Sequence, residues 1–480
     1  MSSIATTTVP VIVPRDAACA WPLGRQETEA RTLLARTWLN LALASLWLAG
    51  LLSLAVVVGR LPWLAHWLDD PLFFKRCLVV HVDLALVVWF YAMIAALAAV
   101  RGTGLRGLGA WAGWGAALGG MVLMLTGSAV RGAEPVLANY IPVIDHPLFL
   151  SGLALFFLGV LSFALRALWA DGRTADGVWS LPADAAAGIQ AAMIALLAAG
   201  ATWISTRAAM PMGLDRLTHF ELAHWAPGHV LQVANVCAML AVWLWLARRA
   251  TGAPVLSAKA ARWLFGVLVG PHLLMPLLTW QGANHRLYVE GATWLMRWTI
   301  FPVVLLVLVL VVRHWRCHRE CLAAERPLAK RALQMSAGLT VLGFVLGACI
   351  RGSTTLVPAH YHASLGGVTA AFMAAGYLIA ATAQARGLAP ERWRRAGRQL
   401  LCFGWGQAVF ALGFGFAGAH GAGRKAYASE QHVRSLAEQI GLGVMGLGGL
   451  IAAVGGIWFL VLIWRMQRSA DSFSPNPASP

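Results

Sequence analysis

Histidine is the residue type in this chain whose positions could do the most chemistry. Of the 14 histidines, His81, His229, His272, His360 and His362 fall inside long apolar stretches, and His224 and His285 stand close to the ends of such stretches. An ionisable side chain in hydrocarbon is costly and is kept there for a partner, a pathway or a cofactor. A neutral imidazole carries one N–H donor and one free nitrogen, so it can be anchored through the first and bind a metal through the second. Spacing adds direction in Pro358-Ala359-His360-Tyr361-His362. Residues two apart on an α-helix lie about 200° apart around it, which turns the two imidazoles to opposite flanks. On these residues alone the pair is either packed and hydrogen-bonded or a set of two ligands, each serving a cofactor on its own side. Asp83, two residues after His81, turns away from it in the same way and reads as a polar contact within the bundle or a proton relay.

The elements that must position these side chains are membrane helices. The 480 residues are 59% hydrophobic and 12% charged, where soluble domains approach a quarter charged. Apolar stretches long enough to cross the bilayer, about 20 residues each, recur near 38–59, 77–100, 106–126, 147–169, 184–206, 221–247, 259–282, 290–313, 332–350, 358–384, 399–418 and 440–465. These twelve spans predict an all-α polytopic bundle over 38–465, with a cytoplasmic tail at 1–37 and a Ser- and Pro-rich, disordered tail at 466–480. Most of the 37 Lys and Arg residues fall in alternate loops and the two ends, including Arg313, Arg316, Arg319, Arg326, Lys330 and Arg331. By the positive-inside rule both termini are then cytoplasmic, as in a bacterial inner membrane protein. The formal charge of +17 is thus a topology signal and excludes a nucleic-acid partner, which would need the charge gathered on one module.

In this topology the second, sixth and tenth spans run inward, so His81, His229, His360 and His362 all lie near their outer ends. The seventh span runs the other way and is followed by His285. Imidazoles from distant parts of the chain therefore share one layer of the membrane. The scattered cysteines read as isolated thiols in a reducing compartment. Cys317, His318 and Cys321 fall short of a closed zinc site, and the absence of Cys-x-x-Cys-His excludes a covalently attached c-type haem on this chain.

This arrangement resembles subunit I of the haem-copper oxidase superfamily. The resemblance rests on His81 in Val79-Val80-His81-Val82-Asp83-Leu84, Gly228-His229 in the sixth span and Val357-Pro358-Ala359-His360-Tyr361-His362 in the tenth, and in architecture it covers 38–465. It implies two haems, b-type or related. His81 and His362 would be the axial ligands of a low-spin haem and His360 the single ligand of a high-spin haem, whose other face stays open to O2 or NO. His229 would begin the ligand set of a second metal, copper or non-haem iron. Arg297 and Arg351 could pair haem propionates or outer carboxylates. The resemblance further implies a respiratory terminal oxidase that reduces O2 to water, with an electron-donor subunit or cytochrome on the outer side.

Three departures bear on the second metal. The family's adjacent His-His pair in the seventh span is missing, which leaves His272 and His285. Depth favours His285, because His272 sits roughly 15 Å below the outer end at 1.5 Å per residue. Val233 stands where many oxidases carry the tyrosine four residues after the histidine, and Tyr288 is the nearby substitute. The connection between the eighth and tenth spans is also short. These differences keep two alternatives open: a nitric oxide reductase of the same superfamily, or a haem-binding electron-transfer protein lacking the second metal. Glu221 and Glu290 read as outer-surface carboxylates. Trp203, Trp225, Trp280 and Trp294 read as interfacial anchors.

Overall fold

A computed structural model describes residues 25–58, 70, 72–101, 105, 107–170, 181–318, 325–382, 389–424 and 435–471. Its twelve membrane-length helices are α1 (Arg25–Val58), α2 (Phe73–Arg101), α3 (Leu108–Ser128), α4 (Pro147–Trp169), α5 (Ala183–Ala208), α6 (Arg216–Thr251), α7 (Ala258–Thr279), α8 (Arg286–Cys317), α9 (Arg326–Ala348), α10 (Leu356–Ala381), α11 (Pro390–Ala419) and α12 (Leu436–Asp471). The chain is an all-α, multi-pass integral membrane protein. Helix α1 starts within the segment read as a tail, and α12 continues past 466; residues 1–24 and 472–480 lie outside the described residues.

Lipid gives helices no hydrophobic reason to associate, so close backbone packing at small residues has to hold them together. Gly113, Gly120 and Gly127 of α3 face Gly152 and Gly159 of α4 at seven-residue spacing. A Cβ at Gly120 would lie 2.4 Å from the backbone nitrogen of Phe156. The same device joins α11 to α12 through Gly406 and Gly413 on one side and Gly441, Gly448 and Gly455 on the other. A strict seven-residue repeat is the period of left-handed helix pairs.

Helices α6 and α10 are the centre of the bundle, with 89% and 83% of their apolar windows buried, against 33% for α3, α7, α8 and α12. The histidine-bearing helices are therefore mainly interior ones. Two of the helices also depart from α geometry beside a histidine. In α2, Asp83–Val88 forms a π-turn directly after His81, a departure often found at functional sites. In α7, Gly270–Thr279 is a 3-10 helix containing Pro271 and Pro276, whose missing N–H groups deprive an α-helix of donors.

Between α3 and α4 the chain forms a small hairpin. Strand β1 (Glu134–Val136) pairs antiparallel with β2 (Val143–Asp145). Arg216, at the start of α6, forms ion pairs with Glu134 and Asp145 and so clamps the hairpin to that helix. Arg424 donates to Asn139 at 3.0 Å.

Candidate functional site

Four buried or half-buried histidines share one pattern, in which one ring nitrogen is tied to a backbone carbonyl or a hydroxyl that accepts from it; in His229 the other nitrogen also meets hydroxyl oxygens. His81 Nδ1 donates to the Ala49 carbonyl of α1 at 2.8 Å. His360 Nδ1 donates to the Gly343 carbonyl of α9 at 2.7 Å. His229 Nδ1 donates to the Trp225 carbonyl one turn back in α6 at 2.7 Å. His272 Nε2 meets Thr299 Oγ1 of α8 at 2.9 Å. The Thr299 hydroxyl also donates to the Leu295 carbonyl at 2.7 Å, so it serves His272 as acceptor. Because a carbonyl can only accept, each anchor fixes the N–H on that nitrogen and leaves a lone pair on the other. Metal-ligating histidines are commonly held this way, with tautomer and ring direction set before the metal arrives.

Helix α10 places its two histidines on different neighbours. His360 turns to α9, where Gly347 has no side chain; a Cβ there would lie 2.6 Å from His360 Nδ1. His362 packs on Phe410 and Phe414 of α11, with ring centroids 4.6 and 6.1 Å away, and lies within electrostatic reach of His81. Most of α10 is buried, with His360 and His362 half-buried and Tyr361 41% exposed. On α2 the half-exposed residues Leu78, His81, Val82, Ala85 and Leu86 form one helical stripe beside otherwise buried neighbours. Open surface thus lies along the faces that carry the histidines, as a planar cofactor between or beside them would require. Neutral imidazoles with a nitrogen left free, on half-buried faces of α2 and α10, are groups of the kind that ligate haem.

The second cluster has two imidazoles. His229 is 1% and His272 0% exposed, and the two lie within electrostatic reach of each other. His285, expected on grounds of depth to face the second metal, caps the N-terminus of α8, its Nδ1 accepting from Leu287 N at 3.2 Å. His272 stands in the 3-10 half of α7 and is tied to α8 through Thr299. Nδ1 of His272 is buried without a hydrogen-bond partner among the described residues. Nε2 of His229 meets the Tyr140 hydroxyl at 2.9 Å and Thr293 Oγ1 at 3.3 Å. Among the described residues no three His, Cys, Asp or Glu side chains converge to hold a metal ion.

Several expectations change at this point. Tyr288 is fully buried, but its hydroxyl donates to the Leu222 carbonyl at 2.7 Å and meets Thr206 Oγ1 and Ala226 N. It stitches α5, α6 and α8 together, and Tyr140 is the tyrosine that reaches His229. Arg297 is exposed on α8, with its guanidinium 6.0 Å from the Trp294 ring, so it faces outward from the bundle. Arg351 is exposed and donates to the Ala348 and Ile350 carbonyls at the end of α9. Trp225 is half-buried and donates to Val289 O at 2.9 Å, a helix tie and no interfacial anchor. Asp83 is fully buried with neither carboxylate oxygen hydrogen-bonded among the described residues, so the polar contact expected of it is not made there. His318 Nδ1 donates to the His314 carbonyl at 2.9 Å, Cys317 is free, and Cys321 lies outside the described residues.

Comparison with known proteins agrees with this architecture. The chain has the fold of a haem-copper terminal oxidase dimer solved by electron cryo-microscopy, at TM-score 0.52 and 15% identity, covering 95% of this chain and 84% of that one. In sequence it is similar to an uncharacterized protein of Rickettsia prowazekii, 24% identical over 89% of this chain and 95% of the relative. An uncharacterized protein of Aquifex aeolicus is 28% identical over 71% of this chain and 83% of the relative. No family model matches. Fold and buried histidines together define a class: a polytopic membrane bundle with the haem-copper oxidase fold.

Proposed function

We propose that this chain is the catalytic subunit of a respiratory terminal oxidase, carrying two haems and reducing O2 with electrons from a donor on its outer side. The observation that carries the reading is the anchoring of His81 and His360, each with Nδ1–H on a backbone carbonyl and Nε2 left as a lone pair beside open surface. When bound, haem supplies iron that passes electrons where two imidazoles hold it and offers a reactive position where one does. His81 and His362 would hold the first haem and His360 the second.

The protein's part is to hold, insulate and orient. Phe410 and Phe414 pack against the His362 ring and hold its orientation. Because helix α10 carries both His360 and His362, it fixes the two sites in one rigid element, so the distance between them does not depend on loop motion. Arg351, exposed beyond the C-terminal end of α9, would meet a carboxylate of the bound cofactor or of the donor.

The same site supports a second reading, reduction of nitric oxide, because Val233 stands in place of the helix tyrosine and Tyr288 is committed elsewhere. Oxygen and nitric oxide consumption by purified protein with an artificial donor separates them. The expected result is O2 uptake that is lost in His360→Ala; NO uptake without O2 uptake selects the second reading, and neither activity in a haem-loaded protein refutes both.

A further inference from the structure

A second pair of imidazoles lies at the far end of α6 and α8 from His229, about 33 Å along α6. His314 and His318 stand four residues apart at the end of α8, which puts them on one face of the helix, about 40° apart around it and 6 Å along it. Their ring centroids are 4.3 Å apart at an interplanar angle of 33°. We propose that His314 Nδ1 and His318 Nε2 chelate a divalent zinc or copper ion at the C-terminus of α8. The proposal is independent of the haem reading, which uses neither residue.

Each ring is anchored through one nitrogen and leaves the other free. His314 Nε2 meets Thr251 Oγ1 of α6 at 2.9 Å. The Thr251 hydroxyl donates to the Ala247 carbonyl at 2.8 Å, so it serves the imidazole as acceptor, and the lone pair of His314 stays on Nδ1. His318 Nδ1 donates to the His314 carbonyl at 2.9 Å, which leaves the lone pair of His318 on Nε2. Tautomer and ring direction are thus set before an ion arrives, as is common for metal-ligating histidines. Two imidazoles that share one ion, each nitrogen about 2.0–2.1 Å from it, have centroids roughly 4.5–5 Å apart, close to the separation found. Arg326 Nη1 donates to the His318 carbonyl at 3.3 Å and so holds the backbone that carries the second ring. The carbonyl end of a helix also favours a cation.

Imidazole donors suit zinc and copper over magnesium or calcium, which prefer carboxylate, carbonyl and water. No third side chain of the usual kinds converges on the pair among the described residues, so the remaining positions on the ion belong to solvent. Arg326 opposes binding through its charge, with its guanidinium 5.3 Å from the Trp315 ring, and salt screens that repulsion over about 8 Å. An open chelate beside a cation holds its ion reversibly. Because His314 is tied to Thr251, a bound ion fastens the last turn of α8 to the end of α6. Cys317 of the same turn is exposed and free, and the chelate does not use it.

The test is copper(II) titration of full-length protein washed free of loosely held metal, followed by pulsed electron paramagnetic resonance, with histidine nitrogen-15-labelled in a parallel sample. The parent is Cys317→Ser, so that the thiol does not reduce the copper. Expected is a bound copper(II) coupled to the remote nitrogens of two imidazoles, displaced by added zinc. His314→Ala and His318→Ala in that parent should each leave a single coupled imidazole and bind at least about tenfold more weakly, with haem content equal to that of the parent. A parent that binds no copper, copper without histidine couplings, or a two-imidazole signal that survives in both variants would overturn the proposal. Each of these leaves the haem assignment standing.

Discussion

At the scale of single residues, function depends on which ring nitrogen each histidine leaves free, and that depends on oxygens far away in sequence. Ala49 anchors His81 and Gly343 anchors His360. Gly347→Ala should push a methyl group into the His360 ring, lowering haem retention at that site and shifting its absorption band while the His81 and His362 site is unchanged. Spectra of the variant in the oxidised and reduced states check this. Tyr288→Phe removes a hydroxyl that serves buried backbone groups of α6. It should destabilise the fold by about 1–3 kcal/mol, seen as a lower Tm in detergent, and leave metal content intact. The histidines themselves were legible, because buried imidazoles in an apolar chain stand out. Their anchors were not, because a carbonyl partner carries no residue signature. Tyr140 was also missed, as it sits in a loop whose fold back onto α6 follows from ion pairs that sequence distance conceals.

At the scale of elements, the twelve spans could be read from hydrophobic length alone, with ends shifted by several residues where polar helix turns project beyond the membrane. The 3-10 half of α7 is signalled by Pro271 and Pro276, whereas the capping role of His285 on α8 is not visible in its depth along the chain. The seven-residue glycine repeats are visible in the sequence too, but they acquire meaning only once the facing helix is known. Gly448→Ala tests their role: its Cβ would lie 2.2 Å from the backbone nitrogen of Phe410, the residue packed on His362. Overpacking should cost about 1–3 kcal/mol and perturb the spectrum of the haem held by His362, whereas Gly443→Ala on the same helix, with open space around it, should do neither. Asp184 gives a second check on how loops are held. Its carboxylate accepts from Val255 and Leu256 N at 3.1 Å each, so Asp184→Ala should loosen the connection between α6 and α7 and lower the Tm.

At the scale of the whole molecule, charge outside the membrane sets the pH range of stability. The Arg76 guanidinium beside Asp70, with Nη2 and Oδ2 2.5 Å apart, holds the Asp70 carboxyl below its ordinary value of 3.8. Because the folded state lowers this value, the contribution is complete above the unfolded value and is lost as pH falls through the folded one. Thermal stability should therefore decline below about pH 4, and part of that decline should be absent in Asp70→Asn. The central claim concerns the bundle as a cofactor carrier, with His81 and His362 on one haem and His360 on another. The pyridine haemochrome assay on purified wild type and on His81→Ala, His362→Ala and His360→Ala tests it most directly. The account predicts two haems per chain in wild type, falling to one in each variant, with the bis-imidazole electron paramagnetic resonance signal lost in the first two and kept in the third. A wild type without haem, or variants that keep the full content, would contradict it.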